Sequence, residues 1–319
     1  MKWDQIILKT GAVSIATAIL LRLGAGPVGE QLGRWVGSPA MASVLLFLGS
    51  GRVPLLDPPS ETLPPEGTVP SPETVGPEEQ SLPVFSAVDT PQLHTTCSYT
   101  VDLEPMLYEP LPWDLTIPEP TVLILHTHTT ESYAGEAGYR SMESEDNMIA
   151  VGDVLARELT KEGICVIHDR TIHDYPSYNG SYALSRKTVQ GYLEAYPTIQ
   201  LVLDIHRDAV EDNSGNQLPV TAQPGVAQLM LVVGTDAGGY DHPLWKQNLA
   251  VAVKLHARLE QLCPGICRPI SLRASRFNQD LNPGMLIVEV GSAGNTREEA
   301  LAAAKLLARG IADLRYGSE

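Results

Sequence analysis

Two histidines and a glutamate directly follow a short apolar run of strand length. The run 122–125 ends at His126, His128 lies two residues further, and Glu131 follows after two threonines. Imidazole nitrogen and carboxylate oxygen are ligands that zinc takes, and a catalytic zinc ion needs three protein ligands plus a water. The stretch therefore predicts half of a metal site.

Two more apolar runs end in the same kinds of group. The run 201–205 leads into His206, and the run 285–288 leads into Glu289. A His-x-His pair alone is as often structural as functional. Because ligand sites of open α/β sheets form at the strand ends, the three runs together predict a metal-dependent hydrolase.

The surrounding chain alternates between strand-like and helix-like patterns. Strands are predicted at 121–125, 165–167, 199–205, 229–233 and 286–290, and helices at 146–161, 181–195, 244–262 and 296–316. This alternation predicts an α/β fold with a mainly parallel sheet and helices on both faces. The chain has no phosphate-binding glycine loop and no Gly-x-Ser-x-Gly turn, which argues against a nucleotide-binding protein and a serine hydrolase.

The first fifty residues predict a membrane anchor. One apolar run lies near 10–21 between Lys9 and Arg22, and a second run is uncharged over 35–51. The positive flanks favour a cytoplasmic N-terminus. Two short soluble helices, or a leader cleaved near Ala40-Met41-Ala42, are the alternatives.

Residues 51–119 predict an acidic, proline-rich linker between the anchor and a catalytic domain at 120–319. Fifteen of the 25 prolines fall within 51–120, together with twelve acidic residues and only Arg52 as a basic one. Over 54–80 the apolar residues are too sparse to bury a core, so this part is expected to be disordered and extended. The segment 84–113 has more aromatic residues and is expected to pack on the domain as an arm. The net charge of −16, without a basic patch, argues against nucleic-acid binding.

The four cysteines are too few for a disulfide scaffold. Cys263 and Cys267 lie close enough in sequence to close a small disulfide in an exported domain, but they lack the second pair of a zinc ribbon. Cys165, in an apolar strand, is expected to be a core residue.

Four motifs occur in order along 120–319: His-Thr-His-Thr-Thr-Glu-Ser, Asp-Ile-His-Arg-Asp-Ala, Phe-Asn-Gln-Asp-Leu-Asn-Pro-Gly and Val-Glu-Val-Gly-Ser-Ala-Gly-Asn-Thr. Together they resemble the stage II sporulation protein P family and, more distantly, the zinc-dependent N-acetylmuramoyl-L-alanine amidases of the Amidase_3 type. The resemblance implies a peptidoglycan hydrolase that acts in forespore engulfment, with amidase and endopeptidase activity. It also implies sporulation proteins D and M as partners, and a catalytic domain outside the cytoplasm at the engulfing mother-cell membrane.

The resemblance implies a zinc ion held by His128, Glu131 and His206. His126 competes with His128 for the first position. Glu143 competes with Glu131, because Glu143 fits the amidase Glu-x-x-x-Asn pattern. Both choices stay open at the level of the sequence.

Glu289, in its Val-Glu-x-Gly stretch, is the implied acid–base residue. Other polar residues near the motifs are expected to orient the ligands or bind substrate: Asp204, Arg207, Asp208, Asn278 and Asp280. For Asp204 and Asp208 the alternatives are orientation of the His206 imidazole and a simple surface role. Arg207 either binds a peptidoglycan carboxylate or pairs with Asp208. A zinc carboxypeptidase acting on stem peptides, or a non-catalytic scaffold that binds peptidoglycan, is the alternative function.

Overall fold

The computed structural model describes residues 83–111, 113–135 and 138–317. None of the helices formed by these residues is long and apolar enough to cross a membrane. The predicted anchor at 1–50 and the linker up to residue 82 lie outside the described residues. The compact unit to which all the described residues belong begins at Pro77.

The core of this unit is a seven-stranded sheet with the strand order β1-β8-β7-β9-β4-β2-β3. The sheet strands are β1 (Leu93–Thr95), β2 (Val122–Leu125), β3 (Val166–His168), β4 (Leu201–Asp208), β7 (Leu229–Gly234), β8 (Ile270–Arg273) and β9 (Met285–Ser292). A separate antiparallel hairpin consists of β5 (Thr221–Gln223) and β6 (Val226–Ala227). All neighbouring strands of the sheet run parallel except β7 and β9, which confirms the predicted mainly parallel sheet.

Helices cover both faces of the sheet, as predicted. They are α1 (Glu104–Tyr108), α2 (Met148–Lys161), α3 (Ser181–Ala195), α4 (Trp245–Leu262) and α5 (Arg297–Asp313). The apolar sides of α1, α2, α4 and α5 pack in one large core with alternate residues of the strands. The apolar side of α3 packs on the opposite face, against Leu123, Leu125 and Val202. We call this second face the α3 face.

The segment 84–113 is part of the same compact unit. Strand β1 pairs with β8 at the edge of the sheet, and α1 buries Met106 and Leu107 in the large core. The indole Nε1 of Trp113 donates to the carbonyl oxygen of Leu314 at 2.9 Å. The arm expected from the sequence therefore contributes the seventh strand of the sheet. Strands β1 and β8, helix α1 and the β5-β6 hairpin are not among the elements predicted from the sequence.

The pairing of β4 with β9 sets the geometry of the candidate site. His206 and Glu289 are register neighbours on these parallel strands, so their side chains share the α3 face. Beyond them the register shifts, because β9 has one more residue than β4 before the next pair. Gly291 lies in this bulge at φ +68, a conformation that L side chains rarely adopt.

Candidate metal centre

The loop after β2 is fixed by its threonines. Thr127 donates to both carboxylate oxygens of Asp204, at 2.7 Å from its backbone nitrogen and 2.6 Å from its hydroxyl. The hydroxyl of Thr129 lies within hydrogen-bond distance of two backbone carbonyl oxygens, at 2.8 and 2.9 Å, and Thr130 donates to Asp174. These bonds fix the backbone on both sides of His128.

His126 lies on the face opposite to α3. It is fully buried, with Nδ1 at 3.1 Å from the carbonyl oxygen of Ile205 and Nε2 at 2.9 Å from Nε2 of His168. Burial, reinforced by the neighbouring His168, lowers the pKa of His126 to about 3. His126 is therefore a neutral core residue, and it is directed away from His206.

His128 lies on the α3 face beside His206. Their ring centroids are 5.3 Å apart and the rings are nearly perpendicular, at 85°. Nδ1 of His128 lies 3.3 Å from the hydroxyl of Ser181 at the start of α3, and Tyr178 stacks on the His128 ring at 4.1 Å. Burial and the charge of His206 lower the pKa of His128, which favours the neutral imidazole that a metal requires.

His206 lies between two buried carboxylates. Nδ1 lies 3.6 Å from Oε2 of Glu131, and Nε2 lies 3.0 Å from Oδ1 of Asp204. Desolvation opposes a charge on His206, but the two carboxylates outweigh it, so the pKa of His206 lies well above its ordinary value. Desolvation likewise opposes ionisation of Glu131 and Asp204, and His206 outweighs it, so both carboxyl pKa values are lowered.

Glu289 adds a third acidic group to the cluster. Its Oε2 is buried and has no hydrogen-bond partner among the residues that the structure describes. Desolvation raises the pKa of Glu289 to about 8, since the charge of His206 offsets it only in part. The carboxyl group is thus poised to exchange a proton near neutral pH.

The other candidate residues are distributed as follows. Glu143 is exposed on the loop before α2, whereas its competitor Glu131 is buried in the cluster. Arg207 donates through Nε to the carbonyl oxygen of Ser132 at 3.0 Å and lies 3.9 Å from Glu131. Of the two alternatives for Arg207, the pairing with Asp208 is not formed in the structure.

Asp208 pairs instead with Arg268 at 2.7 Å. Because Arg268 takes its carboxylate, Asp208 does not orient the imidazole of His206. Asp280 forms a two-pronged ion pair with Arg186, with N···O distances of 2.7 and 2.8 Å. The side-chain amide of Asn278 donates to the Tyr182 carbonyl oxygen at 2.8 Å. Asn278 and Asp280 thus tie their loop to α3.

Several residues of the site were not identified from the sequence. They are Thr127, which holds Asp204, together with Ser181, Tyr178 and Tyr182, which surround His128. The alternation of threonine with histidine in the motif was the one available signal for Thr127. The tyrosines approach His128 only through the tertiary fold. The four cysteines are free and partly buried, including Cys165, which was expected in the core.

The donors are of the types that zinc takes, and the spacing within two of their pairs, His128 with His206 and His206 with Glu131, suits a zinc ion. As they stand, no group of three or more His, Cys, Asp or Glu side chains in the described part of the chain is arranged to hold a metal ion. Two imidazoles on one tetrahedral zinc ion have ring centroids roughly 5.2 Å apart, and neighbouring ligand atoms lie roughly 3.4 Å apart. The corresponding values here are 5.3 Å for His128 and His206 and 3.6 Å for His206 and Glu131.

Comparison with protein families identifies the family of this chain. The profile of the family described as stage II sporulation protein P matches residues 70–312. This chain belongs to the stage II sporulation protein P family. A curated member, stage II sporulation protein P from Bacillus subtilis (strain 168), is 29% identical over 219 residues. That alignment covers 62% of this chain and 52% of the relative, so the chain spans about half the length of that family member.

Solved structures similar to this family member include N-acetylmuramoyl-L-alanine amidases. AmiC2 of Nostoc punctiforme has 17% identity and a TM-score of 0.38, covering 60% of this chain and 94% of its own. The CwlD amidase from Clostridioides difficile, solved in complex with the GerS lipoprotein, has 12% identity and a TM-score of 0.39, covering 60% and 96%. Ami1 from Mycobacterium smegmatis has 12% identity and a TM-score of 0.37, covering 62% and 97%.

Proposed function

We propose that this chain is a zinc-dependent peptidoglycan hydrolase of spore formation, an N-acetylmuramoyl-L-alanine amidase that also cleaves stem-peptide cross-links. One observation carries the proposal. Two imidazoles and a carboxylate lie together on the α3 face, and the adjacent strand carries a carboxyl group, that of Glu289, with one oxygen that has no partner among the described residues. Family membership supports the biological setting.

His128, Glu131 and His206 would hold the metal. A zinc ion bound there would polarise the scissile carbonyl and lower the pKa of a water molecule towards about 7. The protein supplies the orientation of the ligands. Asp204 accepts from Thr127 on both oxygens, and its Oδ1 lies 3.0 Å from Nε2 of His206, within ion-pair distance although the N–H direction is outside hydrogen-bond geometry. Nδ1 of His206 lies on the side of Glu131. A carboxylate that accepts a hydrogen bond from a metal-binding histidine would fix its tautomer and its ring plane.

Glu289 would carry the proton. Its carboxyl group lies next to His206 in register and has a free oxygen. It would accept a proton from the attacking water and deliver it to the departing amine as the amide bond breaks. The bond formed is between carbonyl carbon and water oxygen, and the bond broken is between carbonyl carbon and amide nitrogen.

Digestion of purified peptidoglycan by the full-length protein tests this function. The products are analysed by mass spectrometry with zinc, with a chelator, and with zinc restored. New free amines on L-alanine indicate amidase activity, and separated stems indicate endopeptidase activity. Stem peptides that are shortened only at their C-terminal ends would favour the alternative of a zinc carboxypeptidase. Binding to peptidoglycan without any product would favour the alternative of a non-catalytic scaffold. Hydrolysis that continues in the presence of the chelator would refute the zinc mechanism.

The setting of the enzyme is a further part of the proposal. Residues 1–50 would anchor the protein in the mother-cell membrane, and the linker at 51–82 would give the catalytic unit reach towards the wall. Sporulation proteins D and M are the proposed partners. Scrambling residues 54–80 at constant composition should preserve function in a sporulating cell, whereas removing the anchor should release the protein from the membrane. If scrambling abolishes function while the protein level stays unchanged, the linker is instead a specific docking motif.

A further inference from the structure

The α3 face carries a cavity beside the candidate metal centre. Over β2 and β4 this face is covered by α3. Among the described residues no α-helix covers it over β9, β7, β8 and β1, because the other helices pack on the opposite face. Tyr182 and Phe277, whose ring centroids are 5.7 Å apart, form a wall instead. Between this wall and the strands lies a cavity of about 380 Å³.

The floor of the cavity is apolar and leads away from Glu289. Met230 is the register neighbour of Glu289, and Val232 is the register neighbour of Ile287. All four side chains line the cavity. The cavity therefore begins at the proposed acid–base residue and continues along strands that the mechanism does not use.

Arg273 lies at the other end of the cavity, on the last residue of β8. Its Nε donates to the hydroxyl of Ser271 at 2.7 Å. Two neighbouring arginines already have an acidic partner: Arg268 pairs with Asp208, and Arg276 lies 3.3 Å from Asp280, a carboxylate that it shares with Arg186. Arg273 pairs with no carboxylate of the described residues. A guanidinium group has five donors in a fork that matches a carboxylate, so most of its binding capacity remains available.

The register gives the distance between the two ends. Met230 lies opposite Glu289, and Gly234, four residues further along β7, lies opposite Arg273. Two strand spacings and four residues of strand separate the Cα atoms of Arg273 and Glu289 by roughly 16 Å. Allowing for the reach of the two side chains, this corresponds to about three or four residues of extended peptide.

Charge complementarity identifies the occupant. The acidic side chains that line the cavity, Glu289 and Asp208, lie away from Arg273, and Asp208 pairs with Arg268. In a chain of net charge −16, an arginine without an acidic partner among the described residues, at the other end of the cavity, matches an anionic ligand. We propose that the cavity binds a peptide segment of the substrate and that Arg273 selects segments with a free carboxylate about three or four residues from the scissile amide. The proposal rests on the proposed function for the nature of that amide.

Binding of two synthetic peptides to the full-length, zinc-loaded protein tests the proposal by calorimetry. One tetrapeptide ends in a free carboxylate and the other in a carboxamide. The wild-type protein should bind the carboxylate about tenfold or more tightly, since charge-assisted hydrogen bonds have this strength. Arg273→Gln should abolish the preference, and Arg273→Lys should retain part of it. Arg157→Gln, which changes an exposed arginine on α2, should keep the wild-type preference.

The result that overturns the proposal is an equal affinity of the wild-type protein for both peptides, or an undiminished preference in Arg273→Gln. Thermal unfolding of each variant establishes that it is folded, and Arg273→Lys keeps the charge if the glutamine variant is unstable. Because the measurement is binding without turnover, it is independent of catalysis. If only the wild-type protein prefers the carboxylate peptide but it does not hydrolyse cell wall, the subsite is supported and the proposed enzymatic function is refuted. If the wild-type protein hydrolyses cell wall but binds both peptides equally, the enzymatic function is supported and the subsite is refuted.

Discussion

The two faces of the sheet carry the same residue types near the end of β2 and use them differently. On the α2 side, Nε2 of His126 lies 2.9 Å from Nε2 of His168, and Nδ1 of His168 lies 3.0 Å from Oδ1 of Asp153. The carbonyl oxygen of Ile205 lies 3.1 Å from Nδ1 of His126. All four ring nitrogens have a protein partner, so this group is closed to a ligand.

On the α3 side the corresponding group is open. The rings of His128 and His206 are 5.3 Å apart and do not bond to each other. Asp204 and Glu131 lie beside His206, and Glu289 is its register neighbour, so three acidic side chains lie around the two imidazoles. An excess of acidic groups around spaced imidazoles favours a cation, whereas a closed hydrogen-bonded pair stabilises the fold. Matched substitutions on the two faces test this difference.

The largest effect is expected from His206→Ala. A site left with two protein ligands holds zinc poorly, so zinc content and wall hydrolysis should fall to those of the chelator-treated protein. His168→Ala, on the other face, should lower thermal stability while zinc per folded molecule stays near one. Mass spectrometry of bound metal and a hydrolysis assay measure both. Full zinc content in His206→Ala would contradict the assignment.

Glu289→Gln should separate metal binding from chemistry. The variant should keep its zinc and lose about 10²- to 10⁴-fold in turnover, because the amide cannot accept the proton of the attacking water. Metal analysis and product release on the same sample decide the point. Should the variant lose its zinc, Glu289 would be a ligand.

A smaller effect is expected from Asp204→Asn. Removing the carboxylate behind His206 should weaken zinc binding by about 10- to 100-fold, as for other residues behind metal ligands. The matched change Asp153→Asn, behind His168, should leave zinc affinity unchanged. Competition with a coloured chelator gives both affinities, and an equal loss in the two variants would remove the distinction between the faces.

The smallest effect concerns packing on the closed side. In Gly152→Ala the new Cβ would lie 2.8 Å from Nε2 of His126 and closer still to His168. The free energy of unfolding should fall by about 1–3 kcal/mol, with zinc binding unchanged. Gly191→Ala on α3, where a Cβ meets nothing within 4 Å, should be neutral or slightly stabilising. Urea unfolding followed by circular dichroism measures both, and equal stability of the two variants would contradict the tight packing at Gly152.

Most of the regular structure could be predicted from hydrophobic periodicity. Helix α3 has the predicted bounds, 181–195, and each predicted strand lies within two or three residues of an observed one. Strands β1, Leu-His-Thr, and β8, Ile-Ser-Leu-Arg, were missed because neither contains a continuous apolar run, and β1 also lies in a proline-rich segment. Nor does periodicity reveal that β7 runs antiparallel to β9, since both directions give the same apolar run.

The sequence predicted which residue types form the candidate site, but not on which face of the sheet each side chain lies. His126 and His128 follow the end of β2, where the alternation of a strand no longer fixes which face a side chain takes. Their directions depend on the bonds from Thr127 to Asp204, a residue 77 positions away. Asp208 likewise pairs with a residue 60 positions away in the sequence, Arg268. Such long-range partners are invisible in a single sequence.

The position of the metal is the most direct test of the account. Crystals of the zinc-loaded protein would be measured on both sides of the zinc absorption edge, and the two anomalous maps compared. The account predicts one zinc peak on the α3 face, within coordination distance of His128, Glu131 and His206. A peak between His126 and His168 on the opposite face, or no peak on the α3 face, would contradict it.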